Sequence, residues 1–232
     1  MSEVVRCSII IPVLNESAHI VEQLNALQKW RDAGHEVIVV DGGSQDNSVE
    51  LARPLVDHVV DSEKGRARQM NTGAAIARHH WLVFLHIDTL FSDTAMDSLM
   101  RIFSKKEIIW GRFDVRLSGH HLLFKLVSSL MNLRSRLTGI ATGDQVIFVR
   151  KTVFEEIGGF PDIALMEDIS ISRRLRSLAM PYCVTDSVTT SSRRWQEQGV
   201  VKTILMMWSL RLRYFFGASP ATLAKRYERA PK

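Results

Sequence analysis

A repeated pairing of a short apolar run with a helical stretch restricts this chain more than any other feature. Residues 6–13, 36–41, 58–61 and 81–86 are rich in Val, Ile, Leu and Phe. Between them, 17–31, 46–55 and 66–78 carry apolar residues at helical spacing, Ile20, Leu24 and Leu27 in the first case. Runs of that length without alternation suit strands buried on both faces. A β-α-β-α-β-α-β order then predicts an α/β fold: a mostly parallel sheet flanked by helices. In such a sheet ligands gather outside the carboxyl ends of the strands. Acids stand at those ends: Asp41 in VIVVDGGSQDNS, Asp88 in WLVFLHIDT, and Glu167-Asp168 in GGFPDIALMEDISISRRLR. Carboxylates converging on one crevice can hold a divalent cation against a diphosphate and leave one acid free as a base.

The second half is less regular. Strands are expected at 109–117, 145–150 and 182–185, and helices at 122–137, 151–157, 169–178 and 199–216, with Gly158-Gly159 closing the second of these helices. No Pro/Gly/Ser-rich linker divides the 232 residues, and 46% hydrophobic with 24% charged residues is a globular balance. Cys7 and Cys183 are too few for a disulfide framework and read as reduced and buried. No run approaches the roughly 20 apolar residues of a membrane span. The apolar segment 8–13 is too short for a signal and meets Pro12. A cytoplasmic location is expected.

Charge is unevenly spread. Residues 193–232 carry nine Lys/Arg against Glu197 and Glu228, more than the whole net charge of +5. A basic tail fits nucleic acid, anionic lipid or a polyphosphate ligand. No nucleic-acid-binding signature accompanies it, so nucleic acid is not expected as a partner. Val200, Val201, Ile204, Leu205, Trp208, Leu212 and Phe215 give the segment a broad apolar surface interrupted by Arg211, either packed on the domain or lying on an anionic membrane.

Each motif has a plain alternative. Pro12, Asn15 and Glu16 in SIIIPVLNES form a strand-end loop that could meet a nucleobase. In VVDGGSQDNS, Gly42-Gly43 open the turn and Asp46 is placed to cap a helix, which leaves the Asp41 carboxylate stranded unless a ligand takes it. Arg66 in KGRARQMNTGAAIA opens a helix, where the dipole adds to its attraction for an anion, and Gly73-Ala74-Ala75 allows close helix–sheet contact. His86 and Asp88, alternate residues of an extended chain, would face the same way and could share a metal. One acid of Glu167-Asp168 suffices as a helix cap, which frees the other as a base.

Taken together, IIPVLNES, VVDGGSQD, GRARQMNTGAAIA, FLHIDT and GGFPDIALMED resemble family 2 glycosyltransferases of the GT-A fold over residues 8–195. LHIDT, GRFDVRL, GDQVIFVRK and SSRRW are similar to a small bacterial subgroup found in arsenosugar or radical-enzyme gene contexts. The resemblance implies a GT-A domain over 1–195, with a nucleotide-binding half at 1–90 and an acceptor half at 91–195, followed by a basic helical extension at 196–232. It makes Asp41, Gly43, Pro12, Asn15 and Glu16 donor contacts, with Arg66 and Arg194 at the diphosphate. Asp88 becomes the metal acid of a DxD-type motif beside His86, Asp168 the base with Glu167 beside it, and Arg193 and Trp195 part of an acceptor-side R-W motif. The chain departs from the family in three places: Asp41-Gly42 where paired acids are common, His86 for the first DxD acid, and Ser191 where Gln or Arg is usual. The implied activity is inverting hexosyl transfer from a nucleoside-diphosphate sugar to an acceptor hydroxyl, assisted by Mg²⁺ or Mn²⁺. Two rivals are a sugar-1-phosphate nucleotidyltransferase, whose Gly-rich G-x-G-T-R loop is missing after the first strand, and a sugar-nucleotide sensor without chemistry.

Overall fold

A computed structural model describes residues 5–119 and 121–228, apart from the side chains of Leu122, Arg194, Glu197, Gln198 and Glu228. The first half contains β1 (Cys7–Val13), α1 (Ile20–Asn25), α2 (Gln28–Asp32), β2 (Glu36–Asp41), α3 (Ser48–Ala52), β3 (His58–Asp61), α4 (Arg66–Ile76), β4 (Trp81–Phe84), β5 (Thr89–Leu90) and α5 (Asp93–Phe103). The second contains β6 (Trp110–Leu117), α6 (Leu122–Thr138), β7 (Ile147–Arg150), α7 (Lys151–Glu156), α8 (Glu167–Leu178), β8 (Tyr182–Thr190), α9 (Arg193–Gln198), α10 (Val200–Phe215) and α11 (Pro220–Glu228). Short 3-10 turns lie at Arg53–Leu55 and Gly143–Gln145.

One sheet runs β3-β2-β1-β4-β7-β6-β8-β5. Its first four strands are parallel neighbours, β6 and β8 are parallel, and β7 joins the two groups by antiparallel pairing on both sides. Alternation along the strands builds two cores. Ile9, Ile11, Val37, Val39 and Val83 face one, with α1, α2, α3 and α5; Ile10, Ile38, Val40, Leu82 and Phe84 face the other, with α4, α7 and α8. The helix α4 lies close to the sheet because Gly73 has no side chain: a Cβ there would stand 2.5 Å from Ile10 Cγ2.

The helix expected over 17–31 is two short ones. Leu27 N–H turns to the Leu24 carbonyl, three residues back, and the Gln28 amide donates to Leu24 and Leu55 carbonyls. Ser17 does not cap it; its N–H donates to Asp46. The helix expected over 46–55 tightens to a 3-10 turn at Pro54, which lacks an N–H to continue it. Helices α5 and α9 were not anticipated, and α11 falls within the helical extension expected over 196–232. The first has a readable signal, Ser92 Oγ accepting from Ala95 N–H ahead of Ala95, Met96, Leu99, Ile102 and Phe103. Cys7 is fully buried, whereas Cys183 is only partly so.

Candidate active site

Chain order turns back at β1, which has β2 on one side and β4 on the other. The loops leaving those three strands open there, at the position where open α/β sheets place ligands. The β1 and β2 loops are tied to each other. Asn15 N–H donates to Ser44 Oγ and its side chain accepts from Gln45 N–H, while Glu16 N–H donates to Ser48 Oγ. Asp41, 4% exposed, accepts from Gly43 N–H, Ser44 N–H and Ser44 Oγ. Its carboxylate is therefore not stranded: the turn that follows satisfies it. Beneath, Gln69 of α4 donates to the carbonyls of Val13 and Val40 and joins the two strand ends.

Across the cleft stands α8. Its first turn is Glu167-Asp168, where the helix dipole favours negative charge. Asp168 accepts from Gly143 N–H at 3.1 Å, which links α8 to the 3-10 turn carrying Asp144. A Thr142/Gln145 capping box holds that turn. Its approach to His86 requires glycine, since a Cβ on Gly143 would fall 2.1 Å from the imidazole. One small cavity is lined by His86, Gly143, Glu167 and Asp168 together with Met70, Phe84, Ile147 and Phe160. All three described non-glycine residues with positive φ lie in these loops: Asn15, Val146 and Met166. For β-branched Val146 that conformation is strained, and strain of this kind gathers at functional sites.

The electrostatics tie the cluster together. Burial, then the neighbouring Asp168 charge, pushes Glu167 up to about 7. Burial also raises the Asp144 carboxyl, against the pull of His86. His86 is lowered by burial and by Arg66, against the pull of Asp88, Asp144 and Asp168. On the loop side, burial and the Asp88 charge raise Glu16. Two further cations belong to this neighbourhood. Arg134 of α6, brought down to about 10 by burial and by Arg211, has Nε and Nη2 buried without a partner. Arg211 of α10 is lowered by burial while Asp168 and Asp144 oppose the shift. The residue that interrupts the apolar pattern of the tail thus faces the acids.

The structure brings together Glu16, Arg66, His86, Asp88, Glu167 and Asp168 from the sequence-derived set. It adds Asp144, Arg134 and Arg211. Asp144 lay in a quoted motif, GDQVIFVRK, and Arg211 had a signal in its breach of amphipathicity; Arg134 had none. Strand β4 ends at Phe84, short of the His86 expected in it; His86 stands 3.8 Å from Asp144, and Asp88 is exposed. Pro12 is a buried strand residue, and Gly43 takes φ 91° in the turn that Asp41 organises. Arg193 stands beside His19 at 2.8 Å and acts on Glu16, on the loop side of the cleft. Trp195 packs against Leu117, Phe124 and Val127. The Arg194 side chain lies outside the described residues. Among those residues no three His, Cys, Asp or Glu side chains are arranged to hold a metal ion, and no helix is long and apolar enough to cross a membrane.

Comparison with known proteins gives this arrangement a family. The model described as Glycosyl transferase family 2 matches residues 8–157, a stretch that ends before Glu167. A glycosyltransferase of Haloferax volcanii, AglE, is 28% identical over 169 residues, 67% of this chain and 56% of its own length. The O-antigen chain rhamnosyltransferase WbaN of Salmonella anatum is 25% identical over 211 residues, 79% of this chain and 65% of its own. The chain thus spans between about half and two thirds of these relatives. TarS of S. aureus (residues 1–349) shares the fold at TM-score 0.65 and 19% identity, covering 81% of this chain and 60% of its own. The mannosyltransferase PcManGT of Pyrobaculum calidifontis, solved with GDP-Man and Mn²⁺, has TM-score 0.62 and 20% identity over 90% of this chain and 65% of its own. These likenesses identify the fold as GT-A.

Proposed function

The chain belongs to glycosyl transferase family 2, and on that premise we propose that its cleft transfers a sugar from a nucleoside-diphosphate donor to an acceptor hydroxyl with inversion. One observation carries the reading: Glu167 and Asp168 of α8 line one cavity with His86 and Gly143, where the charges of Asp88, Asp144 and Arg66 also act. The donor nucleoside lies against the β1 and β2 loops, among Pro12, Asn15, Glu16, Asp41 and Gly43. Arg66 neutralises the diphosphate. Asp168 takes the proton of the acceptor hydroxyl as that oxygen attacks the anomeric carbon from the face opposite the leaving group. Glu167, holding its own proton near neutral pH, spares the pair a second charge. Arg134 and Arg211 add positive charge on the acceptor side, with Trp195 on the segment between them, while Arg193 stands on the donor-loop side.

The residues fit a divalent cation of the Mg²⁺ type, which is held by one or two carboxylates while substrate phosphates and water complete its shell. Asp88, with His86 next to it, supplies the protein's share. When bound, such a cation draws charge from the leaving diphosphate.

Thermal stabilisation by a panel of UDP-, GDP- and TDP-sugars, with Mn²⁺ and with EDTA, tests the reading. A sugar nucleotide that raises Tm in Mn²⁺, lost in Asp88→Ala, supports it. If none shifts Tm, or if EDTA changes nothing for the one that does, the metal-assisted donor site is wrong. Free nucleotide released only when acceptor is present separates transfer from mere sensing.

A further inference from the structure

Two neighbouring helices expose leucine-rich stripes for which the transfer reaction has no use. The core-facing side of α6 is engaged, through Phe124, Val127 and the Leu117 N–H that donates to Ser128 Oγ. Its other side presents Leu123, Leu126, Leu130, Leu133 and Leu137 at alternating steps of three and four residues, 36 to 73% exposed. The same division holds on α10. Thr203 and Leu210 are buried, while Val201, Leu205, Trp208, Leu212 and Phe215 repeat at four and three residues and are 59 to 70% exposed. Phe124 and Val127 of α6 share one apolar cluster with Val200 and Ile204 of α10, so the helices adjoin. A soluble face does not ordinarily carry stripes of this length.

Charge selects the occupant. Neither helix contains an acidic residue, and each carries three Lys or Arg: Lys125, Arg134 and Arg136 on α6, Lys202, Arg211 and Arg213 on α10. Arg134 and Arg211 turn toward the cleft, while Lys125, Lys202 and Arg213 stand exposed at the stripes' rim. A second copy would set like charge against like charge there. An anionic lipid surface offers apolar depth to the stripes and negative headgroups to the rim. Trp208 is suited to the boundary, with an apolar body and one polar N–H. Neither helix crosses a bilayer, so both would lie in its plane.

We propose that α6 and α10 together form a docking surface for an anionic membrane. This goes beyond the transfer chemistry and stands without it. Because the Asp168 and Asp144 charges act on Arg211 of α10, docking through that helix would hold the cleft near the membrane surface.

Flotation of the full chain with phosphatidylcholine vesicles, with and without phosphatidylglycerol, tests the surface. The chain should float with the anionic vesicles at low salt, stay behind with pure phosphatidylcholine, and be released as salt rises. Leu205→Ser with Trp208→Ser, and separately Leu130→Ser with Leu133→Ser, should each lower the bound fraction about tenfold or more, with Tm unchanged because these side chains are exposed. Trp208 fluorescence should shift to the blue on binding, and Trp208→Phe should abolish the shift while flotation persists. Three results overturn the proposal: no flotation with anionic vesicles at low salt, flotation unaffected by both double variants, or a concentration-dependent dimer that those variants convert to monomer in a chain that ignores vesicles.

Discussion

On the β1–β2 wall of the cleft, Asp41 and Asp46 are consumed by folding, while Glu16 beside them is raised by burial and the Asp88 charge. Asp41 holds the Gly43 and Ser44 N–H groups, and Asp46 holds Ser17 and Ser48. On the α8 wall, ionisable groups lack that compensation: Glu167 is lifted to about 7, Asp144 is raised, and two guanidinium nitrogens of Arg134 are buried without partners. A buried polar group without a partner costs stability. The first wall spends its polarity on shape, so that the loops keep one conformation for a ligand to meet. The second retains groups perturbed in the way that catalytic sites use.

Asp168→Asn would break the comparison if it did little. If Asp168 is the base, as proposed, its loss should lower kcat by roughly 10²–10⁴-fold with donor affinity retained. Near-normal turnover at saturating substrate would move the base elsewhere.

Next in size is the pH dependence carried by Glu167. The folded protein holds this proton more tightly than the unfolded chain, since the carboxyl lies at about 7 rather than 4.5. Stability from this group is full below about pH 4.5 and is withdrawn as pH rises to 7. Glu167→Gln removes the charge that is penalised, so it should stabilise the fold at pH 8 by on the order of 3 kcal/mol. At pH 4 the two proteins should have similar Tm. Equal destabilisation at both pH values would show that Glu167 matters for packing alone.

A pair of glycines sharpens the contrast. Gly73→Ala drives a methyl to 2.5 Å from Ile10 Cγ2 and 2.9 Å from Val40 Cγ2. It should cost about 1–3 kcal/mol of stability and leave kcat of the folded fraction intact. Gly143→Ala drives one into the His86 ring and should reduce kcat more than Tm. The reverse outcome, read by calorimetry beside turnover, would exchange the roles of the two sites.

The smallest expected effect is at Ser44→Ala. It removes one hydrogen bond to Asp41 and one from Asn15 N–H, about 1 kcal/mol of stability, and should shift donor KM only a few-fold because the backbone N–H bonds to Asp41 remain. A loss of donor binding as large as that from Asp88→Ala would mean Ser44 itself touches the donor.

Much of this molecule is written in its local sequence. The strands 7–13 and 36–41, the crossover helix opening at Arg66, the requirement for a small residue at Gly73 and the acids at the strand ends are all legible there, because burial on both faces and helical periodicity act over a few residues. The interruption at Leu27 was not, since it depends on the Gln28 amide reaching the Leu55 carbonyl. Asp41 looked in need of a ligand because the turn that satisfies it has no sequence signature beyond Gly and Ser. His86 was read as extending the strand, whereas pairing with β7 stops at Phe84.

Order along the chain therefore determined the α/β class and the parallel half of the sheet, since these follow from connectivity and the handedness of crossovers. Only the tertiary structure decided that α6 and α10 turn Arg134 and Arg211 toward Asp168 and present their leucines to solvent. Which face of a helix is covered depends on what packs against it, and residues far apart in sequence supply that covering.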